Sequence, residues 1–278
     1  MKRFIADSIQ LVDMISWLLT ALFFCGAAYM FDGDMIASLW GALAVVFIMF
    51  LVGSSIEIMI ETLKNTPGIG TLTGFLTNGP EALVVIVGLV TGDILFASST
   101  PLGSNYMNPI LLMVAALLVG RLGLVFRVAP IYFTVTMLVT IALAGGFYLI
   151  TPEQYWLWVL ILIPSSSLLF YKRPAEDDGE EEEELAVAKW WLWPSLFILV
   201  ASGYFLDPVV GYASEASHVP KGVIGFVVLS ILTSWPEFKS VLALLRRNLG
   251  MAAVLNIVVS NITNLWLASG GVVIYLLM

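Results

Sequence analysis

Two short polar motifs that could hold a cation occur twice in this chain, each embedded in apolar sequence. The first copy reads TNGPE and then SNYMN, and the second reads TSWPE and then SNITN. In both copies the glutamate precedes the first asparagine of the pair by 24 residues. Polar side chains are costly in apolar surroundings, so paired occurrences indicate a shared role. The matched residues stand 156 positions apart: Thr77 with Thr233, Pro80 with Pro236, Glu81 with Glu237, Ser104 with Ser260, Asn105 with Asn261 and Asn108 with Asn264.

The residue types in these motifs predict a site for a hard cation. A proline just before each glutamate cannot donate to the carbonyl four residues back, at Leu76 and at Leu232, so these carbonyls become candidate ligands. Carboxylate, hydroxyl, amide and carbonyl oxygens without a thiolate suit calcium or sodium rather than zinc or copper. Ser104 and Asn108 stand four residues apart and share a helix face, as do Ser260 and Asn264. The candidate ligands are Glu81, Glu237, Thr77, Asn78, Thr233, Ser234, Ser104, Asn108, Ser260 and Asn264.

Plainer structural roles are open for the same residues. Glu81 and Glu237 could be protonated and bridge helices, and the serine and asparagine pairs could link helices by hydrogen bonds. A prolyl kink alone would explain Pro80 and Pro236, but it would not explain the glutamates beside them.

The elements that must position these residues are membrane-spanning helices. The chain has 278 residues, of which 60% are hydrophobic and 12% charged, with a mean hydropathy of +0.98. A soluble domain carries about 25% charged residues. We therefore expect an all-α membrane protein, and the first helix is expected to be retained rather than removed as a signal peptide. Apolar runs predict nine helices, at about 9–31, 35–62, 68–90, 93–119, 128–150, 155–171, 189–210, 219–246 and 250–277.

The loop charges predict an orientation. Basic residues fall at alternate connections: Lys2, Arg3, Lys64, Arg121, Arg127, Lys172, Arg173, Arg246 and Arg247. The opposite connections carry acids, among them Asp32, Asp34, Asp93, Glu153, Asp207 and Glu215, with Lys221 the only base. Since positive residues favour the cytoplasm, the N-terminus is expected inside, in the cell membrane. The helices bearing Glu81 and Glu237 then run in opposite directions, which predicts inverted repeats that meet near the bilayer midplane.

The predicted organisation has four parts. Residues 1–34 form an extra N-terminal helix, 35–171 the first repeat half, 172–188 an acidic cytoplasmic linker, and 189–278 a shortened second repeat half. The formal charge of −8 comes from the linker, where Glu176, Asp177, Asp178 and Glu180 to Glu184 form one run. We expect this run to be solvated, with calcium sensing as the lesser alternative. The remaining acids and bases balance, so no nucleic-acid surface is expected, and the single Cys25 excludes disulfides and thiolate metal sites.

The two motif pairs resemble the alpha-repeats of the cation/calcium exchanger superfamily, which read roughly G-T-S-x-P-E and G-S-N-x-x-N/D. The resemblance covers about residues 70–110 and 225–266. It implies Glu81 and Glu237 as central ligands and alternating access. It implies no cofactor, with Ca²⁺ and Na⁺ or H⁺ as transported ions and a homo-oligomer as a possible assembly.

The chain departs from the superfamily at several places. Asn264 stands where sodium-coupled relatives often have aspartate, and Asn78 replaces the usual serine, as in proton-coupled relatives. An extra helix precedes the first repeat, and the last two helices of the second are missing. The extra helix or a partner subunit is expected to cover the side of the bundle that those two helices would otherwise cover.

Four charged residues outside the motifs are expected to play structural roles at helix ends. Lys239 is interpreted as a side chain that extends to the membrane surface, with a fixed cation tempering the site as the alternative. Glu57 and Glu61 are expected at a solvated helix end rather than in an entry funnel, and Asp13 is expected near the start of its helix.

Three functional classes fit parts of this pattern. A secondary antiporter that exchanges calcium for sodium, or for protons, is the favoured hypothesis. A cation channel or a non-transporting scaffold with the same fold is the second, motivated by the short second repeat. An intramembrane hydrolase is the third: Asp93 lacks a partner acid and the only histidine, His218, lies in a loop, so no enzyme activity is expected.

Overall fold

The protein is built from helices joined by short turns. The computed structural model describes residues 9, 11–91, 94–176, 185–219 and 230–278, and within these ranges no β-strand occurs. The helices are α1 (Leu11–Met30), α2 (Met35–Leu63), α3 (Ile69–Leu76), α4 (Gly79–Thr91), α5 (Ile94–Val119), α6 (Leu122–Val125), α7 (Pro130–Phe147), α8 (Tyr155–Tyr171), α9 (Leu192–Ser217), α10 (Ser230–Thr233), α11 (Trp235–Arg246) and α12 (Gly250–Leu277). Short 3₁₀ turns, Pro152–Gln154 and Lys189–Trp191, precede α8 and α9.

Eight segments of the described chain are long and apolar enough to cross a membrane. The predicted all-α membrane fold is therefore confirmed, and the protein is an integral membrane protein. One boundary was wrong: α9 continues through Pro208 to Ser217 instead of ending at residue 210. Asp207 and Glu215 consequently lie within a helix rather than in an outer loop. Proline is tolerated there because neighbouring membrane helices can satisfy the freed backbone groups.

Several predictions fall on parts of the chain outside the described residues. The predicted helix 219–246 is described from residue 230 onward, as α10 and α11. Lys2, Arg3, Asp93, Lys221 and residues 177–184 of the acidic run also lie outside the described ranges.

The flanks of the acidic linker contact the helix ends marked by basic residues. The Glu176 carboxylate accepts hydrogen bonds from the backbone amides of Gly70 at 2.6 Å and Thr71 at 3.2 Å, at the start of α3. On the other flank, the amide of Ala186 donates to Glu61 Oε1 at 2.8 Å. Both ends of the linker are therefore fixed to the helix bundle.

Two helices are broken at the motif positions. Thr77 and Asn78 form a turn between α3 and α4, and Ser234 separates α10 from α11. Each break precedes a proline, Pro80 or Pro236, which has no N–H to continue the helical ladder. The broken ends bring backbone and side-chain oxygens to the same level of the bundle.

Helix α12 is the centre of the fold. It packs against α3, α4, α5, α7, α8 and α11, and nearly all of its residues from Ala252 to Leu265 are buried. Close packing depends on small residues: a Cβ added at Gly74 would lie 2.6 Å from the Asn256 carbonyl oxygen of α12. Helix α9 likewise approaches the first break, since a Cβ at Gly203 would overlap Pro80.

Helix directions establish the inversion of the two broken segments. Helices α3 and α12 run side by side in the same direction, because Gly70 lies against Ala252, Thr73 bonds Asn256 and Asn78 bonds Ser260. Helix α11 runs opposite to α12, to which a short turn connects it. The segment α3–α4 and the helix α11 are therefore antiparallel, as predicted for inverted repeats.

Candidate cation site

The two motif glutamates lie together in the interior of the bundle. Glu81 and Glu237 are each 0% exposed, and each lies in the first turn of the helix that follows a break. The Ser260 hydroxyl contacts both Glu237 and Asn78, three residues before Glu81. Among the described residues, no lysine or arginine forms an ion pair with either glutamate. The positive ends of the helix dipoles of α4 and α11 favour their charge.

Each glutamate contacts the motif serine of its own repeat. The Ser104 hydroxyl on α5 lies 3.4 Å from Glu81 Oε1, and the Ser260 hydroxyl on α12 lies 3.2 Å from Glu237 Oε1. The two pairs stand at the same sequence offset and make the same contact. The sequence repeat is therefore also a repeat of local geometry.

Side chains of the first repeat reach across to the second. Asn78 donates from Nδ2 to the Ser260 carbonyl oxygen at 3.0 Å, and the Ser260 hydroxyl lies 2.8 Å from Asn78 Oδ1. Asn108 donates from Nδ2 to the Ser260 hydroxyl at 3.0 Å and to Asn261 Oδ1 at 2.9 Å. Ser260 is thus the centre of the site, with partners from both halves.

Several buried oxygens at this level have no hydrogen-bond partner. Buried polar atoms in proteins are nearly always paired, so a cluster of unpaired oxygens needs an explanation. These atoms come from both repeats. Those on side chains predicted as ligands are Glu81 Oε2, Glu237 Oε2, Thr77 Oγ1, Ser234 Oγ, Asn108 Oδ1 and Asn264 Oδ1, and Asn105 Oδ1 is unpaired as well. Such a set of oxygens with two carboxylates can bind a hard cation.

The remaining predicted ligands lie at the breaks. Thr77 is buried and its hydroxyl oxygen has no hydrogen-bond partner. Thr233 is half-buried. It lines a small cavity with Pro80 and Pro236, between α2 and α9. Leu232, whose carbonyl was a candidate ligand, lines the same cavity.

A second polar layer lies one helical turn from the glutamates and was not predicted. Asn256 donates from Nδ2 to the hydroxyls of Thr73 and Ser240, both at 3.0 Å. These residues stand three or four positions from Ser260, Thr77 and Glu237 respectively, so helical spacing could have revealed the layer. It joins α3, α11 and α12 below the site.

Three charged residues outside the motifs, Lys239, Glu57 and Glu61, were predicted at the membrane surface or at a solvated helix end, and this was wrong. Lys239 does not extend to the membrane surface: it is 1% exposed and its ammonium lies 2.9 Å from both carboxylate oxygens of Asp13. Glu57 is buried, 3.9 Å from the Lys239 ammonium. Glu61 is buried as well and pairs with Arg247 at 3.2 Å and Lys64 at 3.0 Å. Inside a protein a charge requires a partner, and these acids supply it.

Comparison with known proteins gives a family match in the last third of the chain. Residues 189–277 match the family model described as sodium/calcium exchanger protein. The match runs from the start of α9 to the end of α12, and so contains Glu237, Ser260 and Asn264. Comparison with curated proteins gives no match. The family consists of transporters, which argues against the hydrolase alternative.

Proposed function

We propose that this chain, whose residues 189–277 match the sodium/calcium exchanger family model, exchanges calcium for sodium at a site built from Glu81 and Glu237. The family match supports a transporter of the cation/calcium exchanger type. The specific ions and the two-glutamate site are inferred from the residues.

The observation that carries the proposal is the group of unpaired buried oxygens around two interacting carboxylates. Glu81 Oε2 and Glu237 Oε2 lack hydrogen-bond partners, and the two side chains are fully buried. Two negative charges in a low-dielectric interior repel each other strongly. A cation bound between them removes this repulsion and replaces the missing hydrogen bonds.

The charge of the site determines how many ions of each kind it can bind. Two carboxylates neutralise one divalent ion or two monovalent ions, so calcium and sodium compete for the same oxygens. Competition produces antiport if the binding site switches readily between the two sides of the membrane only when bound ions neutralise it. The breaks at Thr77–Asn78 and Ser234 are the positions where such a change can occur without breaking a continuous helix.

The orientation and location form part of the proposal. Lys64, Arg121, Lys172 and Arg246 all belong to connections or helix ends that alternate with acidic ones. The positive-inside rule assigns their side to the cytoplasm. We infer a cell-membrane protein with a cytoplasmic N-terminus that moves calcium outward as sodium enters.

Proton coupling is the second candidate, and Asn78 favours it. The side-chain amide of Asn78 forms hydrogen bonds with Ser260. In the sodium-coupled relatives, a hydroxyl ligand is expected at the position of Asn78. A site with fewer free hydroxyls offers fewer ligands for sodium.

The test is uptake of radiolabelled calcium into vesicles that contain the purified protein. Vesicles are loaded with sodium, made acidic inside, or given no gradient, and each is compared with vesicles that contain Glu81→Gln. Sodium-driven uptake that is lost in the variant supports the proposal, and uptake driven only by acid assigns protons as the coupling ion. Uptake that ignores both gradients indicates a channel and overturns the antiporter.

A further inference from the structure

A buried ion pair connects the extra N-terminal helix to the helix that bears Glu237. Lys239 and Glu237 stand two residues apart on α11, so their side chains leave the helix about 200° apart. Glu237 faces Ser260 on α12, whereas Lys239 faces Asp13 on α1. One face of α11 therefore carries the candidate ligand and the other carries the ion pair.

The geometry of the pair is that of a fixed link. The Lys239 ammonium lies 2.9 Å from each Asp13 carboxylate oxygen, and Glu57 on α2 lies 3.9 Å away. The aliphatic stem packs at Gly53, where an added Cβ would lie 3.4 Å from Lys239 Cε. Trp17, on α1, closes the same pocket. Charge-assisted hydrogen bonds of this kind are short and directional.

The link belongs to the second repeat alone. The position that matches Lys239 in the first repeat is Leu83, which makes no ion pair. Helix α1 lies outside both repeats and packs mainly on α2 and α9. A long side chain is therefore what lets α1 act on α11.

We propose that Asp13, through Lys239, positions the Glu237 carboxylate, so that α1 is a working part of the cation site. This inference rests on the proposed function. If the link is cut, α11 loses a constraint on its rotation, and Glu237 is no longer held toward Ser260 and the opposite repeat. If Lys239 alone is removed, the buried charges of Asp13 and Glu57 also remain without their cation.

The test compares calcium affinity, measured by calorimetry, with the melting temperature of the purified full chain. Asp13→Asn and Lys239→Met should each weaken calcium binding about tenfold and lower the melting temperature. Lys239→Met leaves the Asp13 and Glu57 charges without the Lys239 cation. The double variant also removes the Asp13 charge, so its melting temperature should be higher than that of Lys239→Met while its calcium affinity stays weak. Asp13→Glu, which keeps the charge, should restore much of the affinity. Tyr132→Phe, which removes a hydrogen bond to Leu169, serves as a control that changes stability without changing affinity.

A double variant with wild-type calcium affinity would overturn the proposal, because it would show that the pair only stabilises the fold. A second readout needs no ion: backbone hydrogen exchange in residues 235–246 should be faster in the double variant than in the wild type, with α8 unchanged. Equal exchange in 235–246 would also contradict the link. If the wild type binds no calcium, the proposed function fails. The hydrogen-exchange measurement still decides whether Asp13 holds α11 in place.

Discussion

Asn78 and Ser260 hold each other by two hydrogen bonds across the repeats, one to the backbone carbonyl at 3.0 Å and one between side chains at 2.8 Å. Their counterparts do not repeat this contact. Ser234 replaces Asn78 in the second repeat, and its hydroxyl has no partner. The repeats thus share the carboxylate–serine contact but differ in how each break is held, so the site is symmetric in charge and asymmetric in rigidity.

This asymmetry predicts different effects of two matched substitutions. Asn78→Ala removes two buried hydrogen bonds between the repeats, which should cost about 1–3 kcal/mol of stability. Ser234→Ala removes no hydrogen bond and should leave the melting temperature unchanged, but it should weaken calcium binding by removing a ligand. Thermal unfolding and calcium calorimetry of both variants check this. Equal losses of stability would contradict the asymmetry.

The close approach of α9 to the first break predicts a second pair of outcomes. A Cβ at Gly203 overlaps Pro80, whereas nothing lies within 4 Å of a Cβ at Gly211 on the same helix. Gly203→Ala should therefore displace the α3–α4 break and reduce calcium transport strongly. Gly211→Ala is the matched control and should transport normally. Normal transport by Gly203→Ala would show that the break is not held by this contact.

Asn264 provides a third prediction. Its side chain is fully buried and both of its polar atoms are unpaired. Asn264→Asp adds a negative charge near the cation, so calcium affinity should rise, while repulsion among the carboxylates should lower the melting temperature without calcium. Calcium should then raise the melting temperature more than in the wild type. Asn264→Leu should bind calcium more weakly. Unchanged calcium binding in both variants would exclude Asn264 from the site.

The sequence was sufficient to predict the membrane fold and the inverted direction of the motif helices. Those features follow from strong constraints: apolar length, loop charge, and prolines beside polar residues in apolar sequence. The contacts of Ser104 with Glu81 and of Ser260 with Glu237 were not predicted, although their repetition agrees with the constant offset of the motifs. The structure brings nine of the ten predicted side chains to buried positions at the breaks or facing them, with Thr233 half-buried.

The buried charges could not be predicted from local pattern. Lys239 lies within reach of a helix end in sequence, and its partner Asp13 is 226 residues away. Nothing in the spacing of either residue indicates the other, because the contact depends on where α1 packs. The last part of α9, from residue 211 to Ser217, was also missed, because Glu215 was assigned to an outer loop.

The most direct test of the central claim is the number of calcium ions bound per chain, measured by calorimetry on wild type, Glu81→Gln and Glu237→Gln. Glu61→Gln, which changes a buried glutamate that pairs with Arg247 outside the site, is the matched control. We predict one calcium ion in the wild type and in the control, and loss of binding to the same extent in both site variants. Calcium binding at wild-type affinity in either Glu81→Gln or Glu237→Gln would contradict a site shared by the two repeats.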